Sequence, residues 1–152
     1  MRSFILLLSA CLILSNAQAQ TSTDPKKNDA LVTIGTVSAF ALYNTYLAIG
    51  AIADAYGSDV YTAQQVGDLM KEQLNMLPVV KDQVNTLMIS GYLDAPEDSE
   101  YCLKIMNCID LLLLEAGGLS EYALNGDADA QLNYAHARED AWDLITELLQ
   151  IK

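Results

Sequence analysis

From Ala63 to Leu87 the apolar positions recur at alternating spacings of three and four: Ala63, Val66, Met70, Leu77, Val80, Val84 and Leu87, with Gln73 as the one polar member. Gln64, Asp68, Lys71, Glu72, Asn75, Asp82 and Thr86 take the opposite side. That is the pattern of an amphipathic helix with a heptad seam. A second stretch repeats it with Tyr101, Ile105, Cys108, Ile109, Leu112, Ala116, Leu119 and Ala123 on one face. A third, from Leu31 to Tyr56, has the seam Leu31, Gly35, Ser38, Leu42, Thr45, Ile49, Ile52 and Tyr56. Near the C-terminus, Asp129, Asn133, His136, Asp140, Asp143 and Glu147 share a polar face, with Ala135, Trp142 and Leu149 turned away from it.

The breaks between these stretches carry helix-terminating chemistry. The first segment runs from about Asn28 to Tyr56. Ser58 is placed to cap the second, which extends to about Tyr92. Asp94-Ala95-Pro96-Glu97 resembles a capping box with proline in the first turn, and Asn125-Gly126 stops the third segment near Leu124. Asp127 caps a fourth that runs almost to Lys152. The expected fold is all-α, a four-helix up-down bundle over residues 28–152. Two features disturb the pattern. Pro78 lies on the outer face of segment two, where it bends a helix. Gly117-Gly118 either permits close helix packing or marks a break, at a cost of about 1 kcal/mol per glycine relative to alanine.

Segment one differs from the others because Ala30–Ala53 contains no charge. It is long enough to cross a membrane, which takes about 20 residues. Asn44, Tyr43, Tyr46 and several threonines and serines weigh against that use, and three amphipathic helices need a partner to cover. The expectation is a central bundle helix, with Gly35, Ala39, Ala48 and Gly50 allowing close approach. Phe40 and Leu47 then fall on its far side, and Leu103, Leu111 and Leu114 fall on the far side of segment three. A second apolar surface of this kind marks an interface with a partner protein or a second copy of the chain; cover by loops or helix tilt is the alternative.

The first 19 residues read as an export signal: Arg2, the apolar run Phe4–Leu14, and the small-x-small site Ala17-Gln18-Ala19. Residues 20–27 read as a polar linker. This pattern predicts a periplasmic or secreted protein. Leu8-Ser9-Ala10-Cys11 looks like a lipobox, and lipidation of Cys11 would tether the chain, although the residues after it are apolar where a polar tether is usual.

Charge and candidate chemistry narrow the function. The formal net charge is −12, and losing Arg2 with the signal makes it −13. Such a field disfavours nucleic acid and anionic membrane surfaces. Cys102 and Cys108, if on one helix, are about 9 Å apart, too far for a disulfide, and read as buried thiols. His136 and Asp140 are spaced as a weak metal pair, but a solvated histidine explains them as well. Arg138 points toward the apolar side of its helix and needs an acid there, with Asp110, Glu115 and Asp54 as candidates. No Ser-His-Asp order, glycine-rich phosphate loop or haem or di-iron pattern occurs, so no catalytic residue and no cofactor is expected. Three functions follow: a non-enzymatic binding or assembly module; a small-ligand carrier with a pocket near Tyr43 and Tyr46; and a metalloprotein or enzyme built on His136.

Overall fold

The computed structural model describes residues 25–150, and the signal-sequence and lipobox expectations lie outside them. Four helices form an all-α bundle: α1 Pro25–Gly57, α2 Ala63–Ile89, α3 Pro96–Asn125 and α4 Ala128–Leu149. No strand occurs among the described residues. α1 includes Pro25, Lys26 and Lys27, residues that the sequence reads as linker.

Cross-helix pairs give the topology. Gly67 with Leu124 and Lys81 with Asp110 run α2 antiparallel to α3. Lys104 with Glu147 and Glu115 with Arg138 do the same for α3 and α4. Tyr101 with Gly35 and Tyr56 with Ala123 make α1 parallel to α3, as an up-down order requires.

The capping signals were partly misassigned by spacing. Helix α2 starts after Thr62, whose hydroxyl accepts from the Gln65 amide while the Gln65 side chain accepts from the Thr62 amide. This reciprocal box outcompetes Ser58, which lies in the turn leaving α1, before Asp59 adopts a positive φ of 58°. Helix α3 is capped at Ala95 with no side-chain bond, so Asp94 completes no box; it pairs with Lys27 instead. Gly126 at φ 70° and Asp127, which accepts from the amides of Asp129 and Ala130, stand where the sequence places them.

The helix at the centre is α3, not α1. It packs extensively against both α2 and α4, whose backbones make no close approach to each other among the described residues. α1 lies across α3 and α4 and barely meets α2. The core comprises Ile49, Val66, Met70, Ile109, Leu112 and Ile145, all fully buried, with smaller residues such as Ala116 and Ala141 between them. Each large side chain contributes about 1.5–3 kcal/mol by leaving water. The reason for the exchange is apolar coverage. α3 buries an unbroken line from Cys102 through Ile105, Ile109, Leu112 and Ala116 to Ala123, with Leu111 and Leu113 half-buried on its flanks. α1 sinks only Ala39, Leu42, Ile49 and Gly50 fully.

Two further expectations shift. Val80 is exposed, and the half-buried Lys81 takes its place, reaching Asp110 at 2.5 and 2.6 Å. After Leu77 the buried line therefore steps by four, not three, because α3 presents a carboxylate at that level. The Gly117-Gly118 pair does not break α3. A Cβ on Gly118 would lie 2.8 Å from the Tyr134 nitrogen and 2.9 Å from the Ala130 oxygen, so this glycine sets how closely α3 and α4 approach.

Candidate functional site

The most unusual chemistry lies where α1, α3 and α4 meet. Arg138 projects from α4 into the bundle, as its helical phase predicts. Its Nη1 donates to Glu115 Oε1 at 2.6 Å and to the backbone oxygen of Tyr46 at 3.1 Å. The guanidinium also lies 4.0 Å from the centroid of the Tyr46 ring, a cation–π contact, and that ring stacks on Trp142 at 5.6 Å. Gly50 makes room for it: a Cβ there would stand 2.7 Å from the guanidinium carbon. One cation thus pins three helices. Of the three acids the sequence offered, Glu115 is the partner; Asp110 is taken by Lys81.

Glu115 is fully buried, and its second oxygen, Oε2, has no hydrogen-bond partner. Burial raises its pKa from an ordinary 4.5 to about 7, and the Arg138 hydrogen bond and charge only partly oppose the rise. The same low-polarity surroundings push the Cys108 thiol up to about 12, with Glu115 adding to the effect. Cys108 and Cys102 are both buried free thiols on α3.

The raised Glu115 pKa makes a pH prediction. An acid whose pKa is higher folded than unfolded binds its proton more tightly in the folded state, so protonation favours folding. Stability gained from this group should rise as pH falls from about 8 through 7 toward 4.5. Urea unfolding midpoints compared at pH 8 and pH 5.5 would show it. Neutralising the other carboxylates acts in the same direction, so the Glu115→Gln variant is the control: it should show a smaller rise than the parent. Equal rises in both proteins would refute the assignment.

The remaining candidates are spread over the surface. His136 and Asp140 are exposed and line a shallow groove of about 550 Å³ between α3 and α4, with Glu121 and Asp129. Among the described residues no group of three or more histidine, cysteine or acidic side chains is arranged to hold a metal. Phe40 and Leu47 are 62% and 43% exposed on the outer side of α1. Leu103 and Leu114 are exposed on α3, whereas Leu111 is half-buried and packs against the core. Helical phase places Leu111 toward solvent, but it lies on the flank of a central helix, against the core and beside the α3–α4 groove.

Tyr43 and Tyr46 gather round Trp142 instead of opening a pocket. A cavity of about 490 Å³ lies elsewhere, at the end of the bundle where α1 and α3 begin, with Leu31, Leu87, Tyr101 and Ile105 in its wall. Its one sequence signal was Gly35, expected to let a helix approach. In the structure Gly35 seats the Tyr101 ring, whose hydroxyl donates to the Gly35 oxygen at 3.1 Å.

Comparison with protein families, curated proteins and solved structures finds no match to this chain.

Proposed function

We propose that this chain is an exported, non-enzymatic assembly protein whose copies associate through the outer face of α1. One observation carries the reading. Val37, Phe40, Asn44, Leu47 and Ala51 repeat at spacings of three and four along α1, and all five are exposed. This is a second heptad seam, opposite the one that packs on α3 and α4. An asparagine among apolar seam residues is the kind of position that sets register between paired helices.

Charge favours a second copy as the occupant. The chain is strongly acidic, so most surfaces of two copies repel each other. The α1 face from Ala30 to Ala53 bears no charge and escapes that repulsion. Export is supported by the Met1–Ala19 pattern. By length and composition α1 could also cross a membrane. Its inner face, however, places Leu42 and Ile49 in the core and accepts the Arg138 hydrogen bond, contacts that a lone span would forfeit.

Light scattering across a concentration series is the test. The protein should be dimeric or larger at micromolar concentration. Phe40→Glu with Leu47→Glu should raise the dissociation constant at least about a hundredfold, roughly 2.8 kcal/mol, without loss of helicity. A parent protein that stays monomeric to several hundred micromolar would end the proposal.

A further inference from the structure

We propose that the cavity at the α1–α3 N-terminal end binds a single-chain amphiphile with a cationic head. The inference is independent of the assembly face, which lies on the other side of α1.

The cavity looks built. Its volume of about 490 Å³ falls in the range of small-molecule sites, roughly 300–1,000 Å³. Leu31, Ile34, Leu87, Ile105, Leu148 and Leu149 make its walls apolar. Tyr101 holds it open: the ring stands between α3 and α1, bonded to the Gly35 oxygen, and keeps the start of α1 from closing on α3. Further along α1, Ile49 is buried in the core and Arg138 bonds to the Tyr46 oxygen, which ties α1 to the bundle.

The polar groups of the lining set the ligand's charge. Glu97 and Asp98 line the cavity from the first turn of α3. A helix N-terminus by itself attracts anions, but two carboxylates in that turn reverse the local sign. Lys27, adjacent to the lining residue Asn28, is engaged by Asp94 and lies 4.6 Å from the Tyr92 ring centroid. An ammonium head thus meets two acids while its alkyl chain enters the apolar wall; a fatty-acid anion meets repulsion. Van der Waals fit alone would accept either, so head-group charge is the discriminating prediction.

Cys102 supplies a reporter, since it lines the cavity, whereas Cys108 is wholly buried outside it. The experiment follows alkylation of Cys102 by peptide mapping with decyltrimethylammonium, decanol or decanoate present below micelle-forming concentrations. The ammonium compound should slow alkylation at least tenfold, and decanoate should need a concentration at least tenfold higher for the same protection. Glu97→Gln with Asp98→Asn should weaken the ammonium ligand about tenfold and remove the preference over decanoate. Leu87→Trp, which fills the wall, should abolish protection by all three. The proposal is overturned if decanoate protects as well as the ammonium compound, if the charge variant leaves the preference intact, or if none of the three protects.

Discussion

Arg138→Met is expected to destabilise the protein by about 3–5 kcal/mol, while Arg138→Met combined with Glu115→Leu should recover most or all of that loss. The asymmetry comes from Glu115. With Arg138 gone, a fully buried carboxylate keeps its desolvation cost and loses its only hydrogen bond and counter-charge. Removing both charges leaves an apolar pair of similar volume, and such replacements are often neutral or stabilising by 1–4 kcal/mol. The single variant should also be less destabilised at pH 5.5 than at pH 8, because the orphaned acid can then take a proton. Urea denaturation of both singles and the double gives the coupling energy directly. A loss under about 1 kcal/mol for Arg138→Met would mean that the guanidinium does not hold the three helices together. Gly50→Ala should reproduce part of the loss, since its methyl group would displace the guanidinium.

The adjacent glycines of α3 should respond in opposite directions. Gly118→Ala is expected to cost about 2–3 kcal/mol. Its methyl group would meet backbone atoms of α4, the Tyr134 nitrogen and the Ala130 oxygen, which cannot rotate aside as a side chain can. Either α4 shifts away, opening space beside Ala116 and Leu119, or the clash remains; overpacking of this kind typically costs 1–3 kcal/mol. Gly117 faces no atom within 4 Å, so Gly117→Ala should gain close to the 1 kcal/mol that glycine forfeits in a helix. Thermal unfolding of the two variants side by side tests the point. Equal shifts of either sign would show that helix propensity, not contact with α4, governs this segment.

The two predictions differ in how far the sequence anticipates them. Arg138 stands out in sequence because helical phase turns a cation toward an apolar side. Three acids were then available, and nothing in their spacing separates Glu115 from Asp110. Both acids belong to α3, so the choice depends on which side of α3 faces which neighbour: Glu115 meets Arg138 of α4, while Asp110 meets Lys81 of α2. Gly118 is visible only as half of a costly pair; which glycine is needed depends on the orientation of α4. The cavity had almost no signal, because Tyr101 and Gly35 lie 66 positions apart and meet only after packing.

The sequence by itself determined the number of helices, their order, most of their ends and the inward faces of α1, α2 and α3. These follow from the apolar period and from local capping at Pro96, Gly126 and Asp127, which need no distant partner. On α4 it turned Ala135 and Trp142 away from the polar face, yet both are exposed and Ala137, Ala141 and Ile145 are buried instead. The tertiary structure alone decided which helix is central. An apolar period marks a face but not what covers it, and both α1 and α3 carry more than one such face. α3 won because it packs against α2 and α4 at once, while α1, uncharged from Ala30 to Ala53, packs on α3 and α4 and leaves Phe40 and Leu47 outside. That competition among packings turned an expected core helix into the exposed surface on which the proposed assembly rests.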